Sequence, residues 1–284
     1  MTSRKTMRPV TLKRVIEICS LASKNKVINA SIVSEKLRVS RSRAEEIILE
    51  VRKMELLESL GDGYAAKRTT EEFLEHFEHE QWDKIHEYFL ENYQFYGDYF
   101  TILNAHINDE KGLSLEEIKE ESTGRQLSLN QTAIEVLSDW CDRLGTIQRN
   151  LYTRRVYALK ADIELKIFEK VLCKSYQVLS TQNRRKGVFV EIPELREEIC
   201  EHLKISRKAF DEKLHTIYLN NVGRIELSGA PLMTLAKKSP LTERKMKHVG
   251  KTALLSPKYE IKREREGLTV GQRVYYYLAI YEDH

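Results

Sequence analysis

The chain has 284 residues, of which 41% are hydrophobic and 32% charged, and 47 Lys and Arg stand against 43 Asp and Glu for a formal net charge of +4. That length suggests about two domains rather than one core, and the longest apolar run, 274–281, is far too short for a transmembrane helix. Four cysteines with no C-x-x-C pair argue against a disulfide frame or a cysteine zinc site.

The charge is unevenly spread. Residues 1–14 carry Arg4, Lys5, Arg8, Lys13 and Arg14 and no acid, whereas residues 71–91 carry eight acids and a single cation, Lys84. Such asymmetry points to a polyanion-binding end and a solvated or partner-facing middle. The basic N-terminus lacks the apolar stretch of a secretory signal, so a cytoplasmic protein is expected. With only five prolines and twelve glycines, it should be mostly helical.

Leu12, Val15, Ile16, Cys19 and Ala22 recur at helical spacing and predict a helix over 11–23. A short helix near 30–37 follows. Ser40 then stands as an N-cap before a third helix with Ala44, Ile47, Ile48 and Val51 inward. Gly61-Asp62-Gly63 reads as a hairpin turn between two short strands. The acidic stretch 70–92 reads as one helix bearing His76, His79 and His86, a solvated face rather than a metal site. Phe95, Tyr99 and Ile102 begin a further set, with helices at 114–122 and 129–145 and a hairpin over 146–160. The aromatic run from Tyr88 to Phe100 reads as core or as a helical dimer seam. Leu165, Phe168, Leu172, Tyr176 and Leu179 give a first-helix stripe, 188–192 a short strand, and Pro193 opens a second helix. Ser206 caps a third, 223–229 is a strand, and its antiparallel partner is placed at 273–282.

One phrase occurs twice. Leu37–Ile48 reads LRVSRSRAEEII and Leu203–Leu214 reads LKISRKAFDEKL, 166 residues later. Helix, helix, turn, helix and hairpin is the order of a winged helix-turn-helix, and residues 11–69 resemble that superfamily. The recurrence makes the chain a tandem array: winged helix 1 at 1–69, an acidic linker helix at 70–92, winged helix 2 at 93–160, and winged helix 3 at 161–284 with a basic insertion at 234–268. The expected fold class is mostly α with small β-hairpins.

In DNA-binding members of that superfamily the third helix enters the major groove. Ser40, Arg41, Ser42 and Arg43 stand at its start in the first segment, and Ser206, Arg207 and Lys208 in the third. Guanidiniums and hydroxyls there grip phosphates and read guanine, and helix starts are expected to be exposed. The middle segment offers uncharged Ser128, Leu129, Asn130 and Gln131 among acids, which suits a spacer. The insertion holds ten cations between Lys237 and Arg265, among them Lys245, Lys247, Lys251, Lys262 and Arg263, against three acids, and is expected to add backbone contacts. No nucleotide-binding, zinc-protease or serine-hydrolase motif occurs. The reading is therefore a non-enzymatic, cofactor-free double-stranded DNA-binding protein, a transcription regulator or replication-initiator-like factor. A homodimer or protein partner is expected through 71–100. The alternative is a protein-docking scaffold subunit of a transcription or defence complex.

Overall fold

A computed structural model describes residues 7–125, 129–160, 163–182, 188–229 and 267–281. The protein is mostly helical, with small antiparallel sheets, and among the described residues no helix is long and apolar enough to cross a membrane. The chain forms two units. One runs to His106 and resumes over Leu113–Gln148; the other takes Ile107–Gly112 and the described residues from Arg149 onward.

In the first unit α1 spans Leu12–Lys24, α2 Ala30–Leu37 and α3 Arg41–Lys53. Each starts where a side-chain oxygen meets an orphan backbone N–H: Thr11 accepts from Arg14, Asn29 from Ile32, and Ser40 from Arg43. Each such cap is worth about 1 kcal/mol. The apolar stripe read from the sequence faces inward, with Val15, Ile16, Cys19, Ala44, Ile47 and Val51 buried. Strands β1 (Leu57–Leu60) and β2 (Gly63–Ala66) pair antiparallel across a two-residue turn, where Gly61 sits at φ 58°, a region open to glycine. Tyr64 exchanges both backbone hydrogen bonds with Ile28, at 2.8 Å each, which ties the hairpin to the entry of α2.

The acidic stretch is not one helix. It divides into α4 (Arg68–Glu78) and α5 (Trp82–Asn92), with Glu80 between them in the left-handed conformation at φ 56°. His76 lies on α4, His79 is its C-cap and His86 lies on α5, so they share no helix. The break has a packing cause. It brings the Phe77 and Trp82 rings to 5.8 Å and lets α5 fold back on α4. Helices α6 (Gln94–Ala105), α7 (Leu115–Gly124) and α8 (Gln131–Arg143) complete this unit. A capping box between Ser114 and Glu117 starts α7, and Asn130 caps α8. The aromatic run faces inward. Phe89 packs 5.5 Å from Phe73 and 5.1 Å from Trp140, and Tyr93, Tyr96 and Tyr99 are buried. Those rings are core, Tyr88 and Phe100 of the same run are half-buried, and the acids of α4 and α5 remain outside.

The chain passes between units within β3 (Ile147–Arg149), before β4 (Val156–Ala158). In the second unit α9 (Leu165–Gln182), α10 (Ile192–Leu203) and α11 (Arg207–Asn220) enclose Phe168, Leu172, Leu195, Ile199, Phe210 and Leu214. Pro193 lies in the first turn of α10, where its missing N–H leaves no helical bond unmade. Strands β5 (Val190–Glu191) and β6 (Ile225–Gly229) flank β8 (Arg273–Ile280), all antiparallel, with Leu227 opposite Leu278. The long-range pairing expected between 223–229 and 273–282 is present. An unexpected strand, β7 (Leu268–Val270), pairs with β8 through a turn at Gly271, so Leu268, assigned to the insertion, is a buried strand residue.

Candidate nucleic-acid interface

The repeated phrase builds the same turn twice. Arg38 and Lys204 follow α2 and α10 in the left-handed conformation, at φ 53° and 58°. Val39 and Ile205 then donate their N–H groups to Ser34 and Cys200 carbonyls, both at 3.2 Å. Ser40 and Ser206 cap the next helix, accepting from Arg43 and Ala209 at 3.2 and 3.1 Å. Each backbone step therefore has a counterpart 166 residues on.

The side chains diverge. In the first unit Arg41 and Ser42 are exposed and no described residue holds them. Arg43 is half-buried and turned inward, with Nη1 donating to Glu46 at 2.9 Å and Nη2 to the Pro9 carbonyl at 2.6 Å. The Arg43 hydrogen bond holds the Glu46 carboxyl below its ordinary value, aided by the charge of Arg8. Arg43 thus fastens the N-terminal segment to α3, with its guanidinium already engaged while 40% of the side chain stays exposed. Its place in an outward cationic face is taken by Lys36 and Arg38, both exposed beside the turn, which the sequence reading passed over. Adjacency to the phrase was their only signal.

In the second unit the phrase is folded inward. The Arg207 guanidinium is only 15% exposed, and Glu197 opposite it on α10 is 1% exposed. Arg207 Nε donates to Glu197 Oε1 at 2.5 Å, and Nη2 donates to Glu197 Oε2 at 3.0 Å and to the Arg149 carbonyl at 2.6 Å. The expectation that this helix start is open to solvent fails at Arg207, because a buried carboxylate must be met by a charge or by donors. Lys208 is exposed, 85% by side chain, and lies 3.8 Å from Glu212. Ser206 serves as the cap.

Glu197 belongs to a larger buried network. Leu151 N–H donates to its Oε2 at 2.8 Å. One turn on, Glu201 accepts from Gly112 N–H at 2.9 Å, Asn150 Nδ2 at 2.5 Å and Thr153 Oγ1 at 3.2 Å. The two carboxylates pin segments 107–112 and 149–155 onto α10, and Arg155 reinforces this through the Gly112 carbonyl at 2.6 Å. Gly112 is required there, since a Cβ would meet the Val156 carbonyl oxygen at 2.6 Å. Lys204 is buried, with Nζ 2.7 Å from the Glu201 carbonyl oxygen and 5.4 Å from the Tyr157 ring centroid. Burial draws its ammonium down to about 8.

The middle segment presents exposed Glu116, Glu120 and Glu135, and Asn130 is engaged as the α8 cap, accepting from Ala133 N–H at 2.8 Å. Ser128, Lys245, Lys247, Lys251, Lys262 and Arg263 lie outside the described residues. No protein-family model matches the chain, and no curated protein matches its sequence.

Proposed function

We propose that the chain is a double-stranded DNA-binding protein made of tandem winged helix-turn-helix segments, acting as a transcription regulator or replication-initiator-like factor. The observation that carries this reading is the first turn. Lys36, Arg38 and Arg41 are exposed within six residues, unpaired among the described residues, around a Ser-capped helix start. Three unpaired cations at the mouth of a helix that fits a major groove favour a polyanion. The third segment contributes less in this reading. Lys208 remains as its outward cation at the helix start, and Arg207 acts as a positioning residue. The cations of 234–268 add backbone contacts.

The test is fluorescence anisotropy of the full chain on random-sequence duplex at two salt concentrations. Affinity should fall with a log–log slope of about −0.9 per phosphate neutralised, and Lys36→Ala with Arg38→Ala and Arg41→Ala should flatten that slope by roughly 2 to 3. Binding indifferent to salt, or none at low salt, refutes it.

A second reading is a protein-docking scaffold. It is favoured by the burial of Arg207 and Lys204 and by the outward acids of α4, α5 and α7. Retention of a protein partner by a chain that fails the duplex assay would select it.

A further inference from the structure

Aligning the two copies of the phrase through the turn places Ala30 of α2 where α10 has Arg196, and Ser31 where it has Glu197. This correspondence decides what the following helix does with its charges. In the second unit Arg207 is held by Glu197, and Asp211, one turn on, is held by Arg196 Nε at 2.8 Å. Arg207 and Asp211 of α11 are therefore both met by side chains of α10. In the first unit the counterparts are Arg41 and Glu45, and the side chains that would hold them are absent. Arg41 and Glu45 are both exposed, and neither has a partner among the described residues. They do not pair with each other, although they stand at i, i+4. The Arg-before-Glu order is the weaker arrangement for such a pair.

An unpaired carboxylate on the face of a helix that approaches DNA repels phosphate. It gains where it meets a base-edge donor, and in the major groove Glu accepts from cytosine N4, while Arg takes guanine O6 and N7. We infer that the first segment reads sequence directly, with Arg41 specifying a guanine and Glu45 a cytosine. The two positions are about 6 Å apart along the helix, four residues at 1.5 Å each. Successive base pairs are about 3.4 Å apart, so the two bases lie one or two steps from each other. Glu45 acts here as a specificity determinant: it selects against every duplex that offers no donor at that position. The inference rests on the DNA-binding reading above and adds a G·C-containing target class to it.

The experiment is selection from a randomised duplex library by the full chain, by Arg41→Ala and by Glu45→Ala, followed by anisotropy on the enriched site and on the same site with the cytosine pair changed to T·A. Glu45 is exposed in mid-helix and Ala is a strong helix former, so this variant should keep the parent's circular dichroism and melt. The parent should enrich a guanine and a cytosine one or two steps apart, and the T·A change should weaken it about five- to 150-fold. Glu45→Ala should lose the cytosine preference alone, keep the guanine, and bind random duplex as well as the parent or better. Arg41→Ala should lose the guanine preference. If Glu45→Ala binds all sequences more tightly by one common factor, the carboxylate only repels and the inference is overturned. Salt-dependent binding by the parent without any enrichment also overturns it while leaving the DNA-binding reading in place. Absence of salt-dependent binding removes both.

Discussion

Arg207→Ala should cost the second unit far more than Arg41→Ala costs the first, although the two arginines occupy the same place in the same phrase. Removing the Arg207 guanidinium leaves the Glu197 carboxylate, 1% exposed, with the Leu151 N–H at 2.8 Å as its remaining donor outside α11. It also leaves the Arg149 carbonyl without its Nη2 donor. Breaking one half of a buried pair typically costs about 3–5 kcal/mol, mostly because the other charge stays buried and unmatched. At roughly 2–4 °C per kcal/mol, the melting temperature should fall by about 10 °C. Arg41 is exposed and unpaired, so its removal should change stability by no more than about 0.5 kcal/mol while weakening duplex binding. Thermal and urea melts of both variants, with anisotropy on duplex DNA, separate the two roles. Adding Glu197→Gln to Arg207→Ala should recover part of the loss by removing the stranded charge. Equal stability losses at the two arginines, or no recovery in the double variant, would refute the assignment of Arg207 to the fold.

In the first unit, the buried Glu50 carboxylate accepts from Tyr93 O–H at 2.6 Å, Lys53 Nζ at 2.9 Å and the Arg8 N–H at 3.1 Å. Tyr93→Phe keeps the ring but strands one oxygen, and a urea melt should show a loss of about 1–3 kcal/mol. Lys204 makes stability depend on alkaline pH. Its folded value of about 8 lies below the ordinary 10.5, so the unfolded chain binds the extra proton between them, and the contribution of this lysine rises as pH climbs through that window. Tyr88 opposes this at higher pH: burial lifts it from 10 to about 12, and the stability tied to its protonated form is lost across that interval. Burial also lifts the Cys19 and Cys141 thiols above their ordinary 9, so stability tied to them is lost from about pH 9 upward. Urea midpoints should therefore rise from pH 8 to about 9 and fall beyond it, and Lys204→Met should abolish the rise.

Much of the local structure was legible because its causes are local. The side-chain caps read at Ser40 and Ser206, the 3.6-residue stripes and the glycine turn at Gly61 depend on residues within one turn of each other; the caps at Thr11, Asn29 and Asn130, equally local, were passed over. So does the repeated turn itself, which the phrase encodes at both sites. The break at Glu80 was missed because acids alone carry no stop signal; the pairing of Phe77 with Trp82 across it is a packing preference. The strand at Leu268–Val270 was missed because three residues are too short for a period, and β8 supplies what holds them.

By itself, then, the sequence determined most of the helices, the serine caps of both copies of the phrase and the duplicated turn, since short-range hydrogen bonds and periodicity specify these. Only the tertiary structure decided which charges of the duplicated phrase face outward. Arg41 and Arg207 are the same residue in the same local conformation, and their fates differ because Glu197 meets Arg207 while the aligned position of the first copy is Ser31, which carries no charge. That distinction belongs to a neighbouring helix. A charged side chain goes to whichever environment best replaces its water, and for Arg207 a buried carboxylate is within 2.5 Å. For Arg41 no such partner exists among the described residues, so the guanidinium stays in solvent, where a phosphate or a base edge can reach it.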